Sequence, residues 1–77
     1  MKRLSYYPLE CELKKHRMTK TELQDQTGLS STTIAKIAKN EDISLKALRT
    51  IAEVLDCNIN DLITFDNPYK IKMNYIR

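Results

Sequence analysis

The chain holds a single glycine and two prolines in 77 residues. An all-β chain needs many turns, and these residues supply most of them, so that class is excluded. One glycine also rules out a glycine-rich phosphate loop. No apolar run approaches the roughly 18 residues of a membrane-crossing helix. The N-terminus, Met-Lys-Arg-Leu-Ser-Tyr-Tyr-Pro, is basic but leads into no apolar signal core. Cys11 and Cys57 are the only cysteines, and they lie too far apart for a metal-ligand spacing. They are expected as small buried apolar residues in a reducing cytosol rather than as a disulfide. His16, the lone histidine, has no Ser-His-Asp or Cys-His-Asp spacing and is expected to support a helix end. Glu10, Glu12 and Glu22 form no recognisable acid–base pair and suit a charged helix surface. No enzyme, metal, cofactor or small-molecule ligand is therefore indicated, and no internal repeat or low-complexity stretch is apparent.

What the chain does have is the balance of a globular protein, with 42% hydrophobic and 30% charged residues. One domain over residues 1–77 is expected. So short a chain buries a modest core, and dimerisation would add stability by mass action. The net charge of +3 and pI near 9.0 tilt only mildly toward polyanionic partners. Where the charges fall matters more than their sum.

Helix-start signals recur along the chain. Pro8 suits the first residue of a helix, since it lacks an N–H the helix would not use there. A first helix is expected over Pro8–Arg17, with Leu9 and Leu13 one turn apart and Lys14 to Arg17 loading its last turn with positive charge. Thr19 with Glu22 reads as a capping box, and Met18 with Leu23 as a hydrophobic staple. A second helix over Lys20–Thr27 then ends at Gly28, which adopts a left-handed conformation at little steric cost. Leu29, Ser30 and Ile34 repeat the pattern and open a third helix, Ser31–Lys39. Ile43, Ser44 and Leu48 repeat it again for a fourth, Leu45–Asp56. The apolar stripe of that helix is Leu45, Leu48, Ile51, Ala52 and Leu55. Asn60 reads as the cap of a short fifth helix, Asp61–Thr64.

The arm over residues 66–77 behaves differently. Tyr69, Ile71, Met73 and Tyr75 alternate with Lys70, Lys72 and Asn74, the period of a strand. A lone strand needs a partner, and the nearest candidate is the N-terminal stretch Lys2–Tyr6. The alternatives are a two-stranded ribbon, within one chain or exchanged between two, and a floppy basic tail. Tyr6, Tyr7, Tyr69 and Tyr75 cluster at the two ends, where core or interface packing is favoured over stacking on nucleic acid.

The segment 20–39 reads as two helices around one tight turn, an arrangement able to place its second helix in a DNA major groove. At about 100° per residue, Ile34 and Ile37 project from one side of the third helix. Thr32, Ala35, Lys36 and Lys39 project from the other, with Ser31 and Thr33 on the flanks. No acidic residue falls between Ser30 and Asn40. Small residues let a backbone approach base edges, hydroxyls donate or accept, and a Thr or Ala methyl can meet a thymine methyl. Composition alone suits this use and a plain solvated face about equally.

The combined pattern resembles the Cro and phage-repressor (XRE-like) helix-turn-helix family. Leu23, Gly28, Leu29, Ile34 and Ile37 carry the resemblance, and Asn40 to Leu62 is similar to the family's fourth helix and its link to the fifth. The similarity runs from about Leu9 to Phe65. It implies an all-α, compact five-helix, lambda-repressor-like domain that binds double-stranded operator DNA as a homodimer. By position, Ser31, Thr32, Thr33 and Lys36 would contact bases. Thr19, Lys20, Thr21, Lys39, Asn40 and Lys46 would contact phosphates. The implied role is a cytoplasmic, nucleoid-associated transcriptional regulator of repressor type; the alternative is a protein-binding adaptor on the same fold. Two positions depart from the family, which favours a small residue at Gln24 and an aliphatic one at Thr27. Both bear on how the second and third helices pack, not on the outward face.

Overall fold

The computed structural model describes residues 2–66. Four helices lie between two short strands: β1 (Arg3–Ser5), α1 (Tyr7–Lys15), α2 (Lys20–Thr27), α3 (Ser31–Ala38), α4 (Leu45–Leu55) and β2 (Thr64–Asp66), with a 3₁₀ turn at Ile59–Asp61 ahead of β2. The fold is mostly helical. Its fifth helix is replaced by that 3₁₀ turn, a correction to the expected Asp61–Thr64. The turn begins after Asn58 rather than Asn60, and the Asn58 N–H donates to Asp61 Oδ2 at 3.1 Å. Thr64 belongs to β2.

The helix starts are set by their caps. Thr19 Oγ1 accepts the Glu22 N–H at 3.1 Å while Glu22 Oε1 accepts the Thr19 N–H at 2.9 Å, which closes a capping box. Ser30 Oγ accepts from Thr33 N–H and Ser44 Oγ from Ala47 N–H. Each hydroxyl satisfies a donor that the first turn of a helix cannot satisfy itself. The staple residues Met18, Leu29 and Ile43 pack against the core from the positions before the caps. α1 has no side-chain cap and starts one residue before Pro8, with the Tyr7 N–H donating to Ser5 Oγ. Its Leu9 N–H donates to the Leu62 carbonyl at 3.1 Å, so an otherwise orphaned donor ties α1 to the far end of the chain.

With one glycine, the chain ends its helices by other means. Gly28 closes α2 at φ 72, and its N–H donates to the Gln24 carbonyl. Arg17, Asn40 and Asp56 take the same left-handed conformation after α1, α3 and α4. Asn and Asp are among the non-glycine residues that adopt it most readily. Arg17 therefore lies outside α1, which ends two residues earlier than expected; α3 and α4 each end one residue earlier.

The core joins Tyr6, Leu9 and Leu13 to Leu23, Ile37, Leu48, Ile51, Ala52, Leu55 and Leu62. Leu45 is a correction. It has the spacing of the α4 stripe but is 64% exposed, because at about 100° per residue it falls at the edge of the arc centred on Leu48, Ile51 and Leu55. Cys11 and Cys57 are free thiols, half-buried rather than buried, and burial pushes the Cys57 thiol above its usual pKa.

A ribbon of two antiparallel strands forms within the chain, in the register Arg3↔Asp66, Leu4↔Phe65 and Ser5↔Thr64. Its N-terminal strand is the expected one. The partner strand is Thr64–Asp66, and the alternating stretch Tyr69 to Tyr75 lies outside the described residues. No helix among the described residues is long and apolar enough to cross a membrane.

Candidate nucleic-acid interface

α2, Gly28 and α3 form the helix-turn-helix. A second device reinforces the turn. Thr27 Oγ1 donates to the Leu23 carbonyl at 2.7 Å and accepts the Leu29 N–H at 3.3 Å, bridging the glycine. The Thr27 hydroxyl thus bonds back into its own helix and forward across the turn. Gln24 is half-buried, and Leu23 beside it is 1% exposed, so the larger side chain leaves the α2 anchor in place.

α3 is held by Ile37, which is buried, and Ile34, which packs against the core. Ser31, Thr32, Ala35, Lys36 and Lys39 are exposed. Among the described residues, the Ser31, Thr32 and Lys36 side chains have no hydrogen-bond or ion-pair partner, so their donors and acceptors face solvent. Thr33 differs from them. It is half-buried, and its hydroxyl lies 3.1 Å from Ser30 Oγ. It serves the α3 cap first, and only the free side of its hydroxyl and its methyl remain for a ligand.

The candidate phosphate residues fall around this face. Thr19 and Thr21 are exposed at the start of α2, with Thr19 Oγ1 engaged in the capping box. Lys20 Nζ sits 3.1 Å from Glu10 Oε1, an ion pair between the first turns of α1 and α2. Such a half-exposed pair is weak, and a phosphate can displace the carboxylate. Lys39 follows α3, and Lys46 is exposed in the first turn of α4.

Asn40 does more than its position suggests. Its Oδ1 accepts the Tyr6 N–H at 3.1 Å, and the Tyr6 phenol donates to the Glu41 carbonyl at 2.6 Å. With the carbonyl end of the amide engaged, the Nδ2 donors of Asn40 are left for a ligand. Tyr6 itself is 2% exposed, and burial, assisted by the charge of Asp42, raises its pKa. This tie between the N-terminal strand and the end of α3 escaped sequence reasoning, since nothing local links residues so distant in the chain. The Thr27 brace was in reach, because a Thr in the last turn of a helix commonly bonds to the carbonyl four residues back.

His16 stands at the C-terminal cap of α1, its Nε2 4.0 Å from Glu12 Oε1. Among the described residues no cluster of three or more side chains suits a metal ion.

The model of the Cro/C1-type helix-turn-helix DNA-binding domain matches residues 9–68. The chain belongs to this family. The matched region takes in α2, α3, α4, the turn at Gly28 and all of α1 but Tyr7 and Pro8, so the geometry above is that of a Cro/C1-type domain. No curated protein matches the chain. Among solved structures, the crystal structure of the transcriptional regulator VanUg is similar, with 40% identity and a TM-score of 0.81 over 84% of this chain and 87% of that one. A likeness this extensive shows that Gln24 and Thr27 are accommodated within the Cro/C1-type fold.

Proposed function

We propose that the chain is a sequence-specific DNA-binding transcriptional regulator of repressor type, acting as a homodimer in the cytoplasm at the nucleoid. The observation that carries this reading is the face of α3. It is exposed, free of acid and lined by Ser31, Thr32 and Lys36, on a helix-turn-helix of a DNA-binding family. VanUg, the similar solved protein, is a transcriptional regulator. In this reading α3 enters the major groove, with Ser31, Thr32, Thr33 and Lys36 at base edges. Thr19, Lys20, Thr21, Lys39, Asn40 and Lys46 fix its register on the phosphates. Bound protein represses by occupying the operator. A dimer reads half-sites about 10 bp apart or a multiple of that.

Selection of bound sequences from a random DNA pool tests the reading, since the recovered motif and its symmetry report both specificity and dimerisation. Lys36→Ala is expected to cost about 1–3 kcal/mol of discrimination at one base position. Lys20→Ala is expected to weaken all sequences alike and to lower the salt slope by about 0.9. Recovery of no motif, with native affinity in both variants, would leave a protein-binding adaptor as the better account.

A further inference from the structure

β1 carries a cation to the far end of α3 from outside the helix-turn-helix. Arg3 is exposed on this strand, which pairing with β2 holds in place. The bonds from Tyr6 to Asn40 and Glu41 hold the preceding strand against the turn after α3. As a result Arg3, Leu4, Lys39, Asn40 and Asp42 line one groove of about 570 Å³. A guanidinium, an ammonium and an amide whose carbonyl is already engaged present mainly hydrogen-bond donors. Such a set suits an oxygen-rich anion, and the planar fork of an arginine suits a phosphate diester best. Among the described residues Asp42 is the one acid lining the groove, and the charges of Arg3 and Lys39 outnumber it.

We propose that this groove is a DNA-phosphate site in which Arg3 grips the backbone beyond the end of α3. The inference rests on the DNA-binding reading above and adds to it a residue from the N-terminal strand. Because phosphate contacts carry no base information directly, Arg3 anchors the domain without selecting its sequence. Asp42 opposes the same phosphate and tempers the grip.

The test compares the native chain with Arg3→Gln, Arg3→Lys and Asp42→Asn on the selected operator and on random duplex, between about 50 and 200 mM salt. Arg3→Gln is expected to lower the salt slope by about 0.9 on both DNAs, which is about 3.5-fold less loss of affinity across that range. Base preference and thermal melting stay native. Arg3→Lys keeps most of the slope, and Asp42→Asn tightens both DNAs. A native slope in Arg3→Gln overturns the proposal, as does a change of base preference, which would put Arg3 on a base edge. Titration with inorganic phosphate alone is a further arm: saturable amide shifts at Lys39 and Asn40 without DNA would identify a free-anion pocket and overturn it too. If Lys36→Ala loses base preference while Arg3→Gln changes nothing, only the groove is lost. A native chain that binds no DNA removes the DNA-binding reading and the groove with it.

Discussion

α3 and α4 are neighbours in the chain and opposites in what they bury. α4 sinks Ala47, Leu48, Ile51, Ala52 and Leu55, while α3 sinks Ile37 alone. A small chain has little apolar surface to bury. Here that burial is concentrated in one helix, which leaves the other almost bare. Beyond Ile37 and Ile34, α3 is held at its ends by the Ser30 cap, the Thr27 brace and the bonds of Tyr6. The difference separates two jobs. α4 keeps the domain folded, and α3 presents a face that folding does not need.

The sharpest way to break this contrast is to weigh one residue from each helix. Ile51 is 0% exposed, and Ile51→Ala is expected to cost about 2–5 kcal/mol in urea denaturation, a large share of the stability of so small a domain. Thr32→Ala is expected to stay within about 0.5 kcal/mol. Equal losses would mean that α3 carries the fold as much as α4 does.

A smaller effect is expected at the turn between α2 and α3. Gly28 has φ 72, and a methyl group there would meet nothing within 4 Å. The cost of Gly28→Ala is therefore conformational, about 1–2 kcal/mol, and Gly28→Asn should recover part of it. A native melting curve for Gly28→Ala would show that the Thr27 brace holds the turn by itself.

The smallest effect tests the tie beyond α3. Tyr6→Phe removes the bond to Glu41 at an expected cost of about 0.5–1.5 kcal/mol. It should also change the alkaline limb of the stability curve. Burial raises the Tyr6 pKa above its usual 10.0 in the folded chain, so the folded state holds the phenol proton more tightly than the unfolded one. That contribution is complete below about pH 10 and is lost as the pH rises through the folded value. Chemical denaturation between about pH 8 and 11 should show a flatter decline for Tyr6→Phe than for the native chain.

What was legible in the sequence divides along the same line. The bounds of α2 and the starts of α3 and α4 were readable because Thr19, Ser30 and Ser44 act within one turn of themselves. The direction of α3 was readable from the spacing of Ile34 and Ile37. Thr64–Asp66, the partner of the N-terminal strand, was not legible because three residues are too few to show a period, and the alternating stretch 69–75 lies outside the described residues. Leu45 has helical spacing yet is exposed, since periodicity says which side of a helix is apolar but not how wide an arc of that side the core covers. Within the candidate site, exposure at Ser31, Thr32 and Lys36 followed from the face. The engagement of Thr33 with Ser30, of Lys20 with Glu10 and of Asn40 with Tyr6 depended on neighbours that a pattern of residue types does not rank.

The caps have a consequence for how such a chain can change. Each helix around the turn is started by a residue off the exposed face, and the side chains of Ser31, Thr32 and Lys36 bond to nothing among the described residues. Substitutions at these three positions are nearly free of folding cost, about 0.5 kcal/mol or less each. New binding preferences can accordingly be sampled one residue at a time, with the scaffold neither resisting nor rewarding the exchange. Thr33 stands outside that freedom: replacing it touches the cap, so drift in specificity should run through its three neighbours.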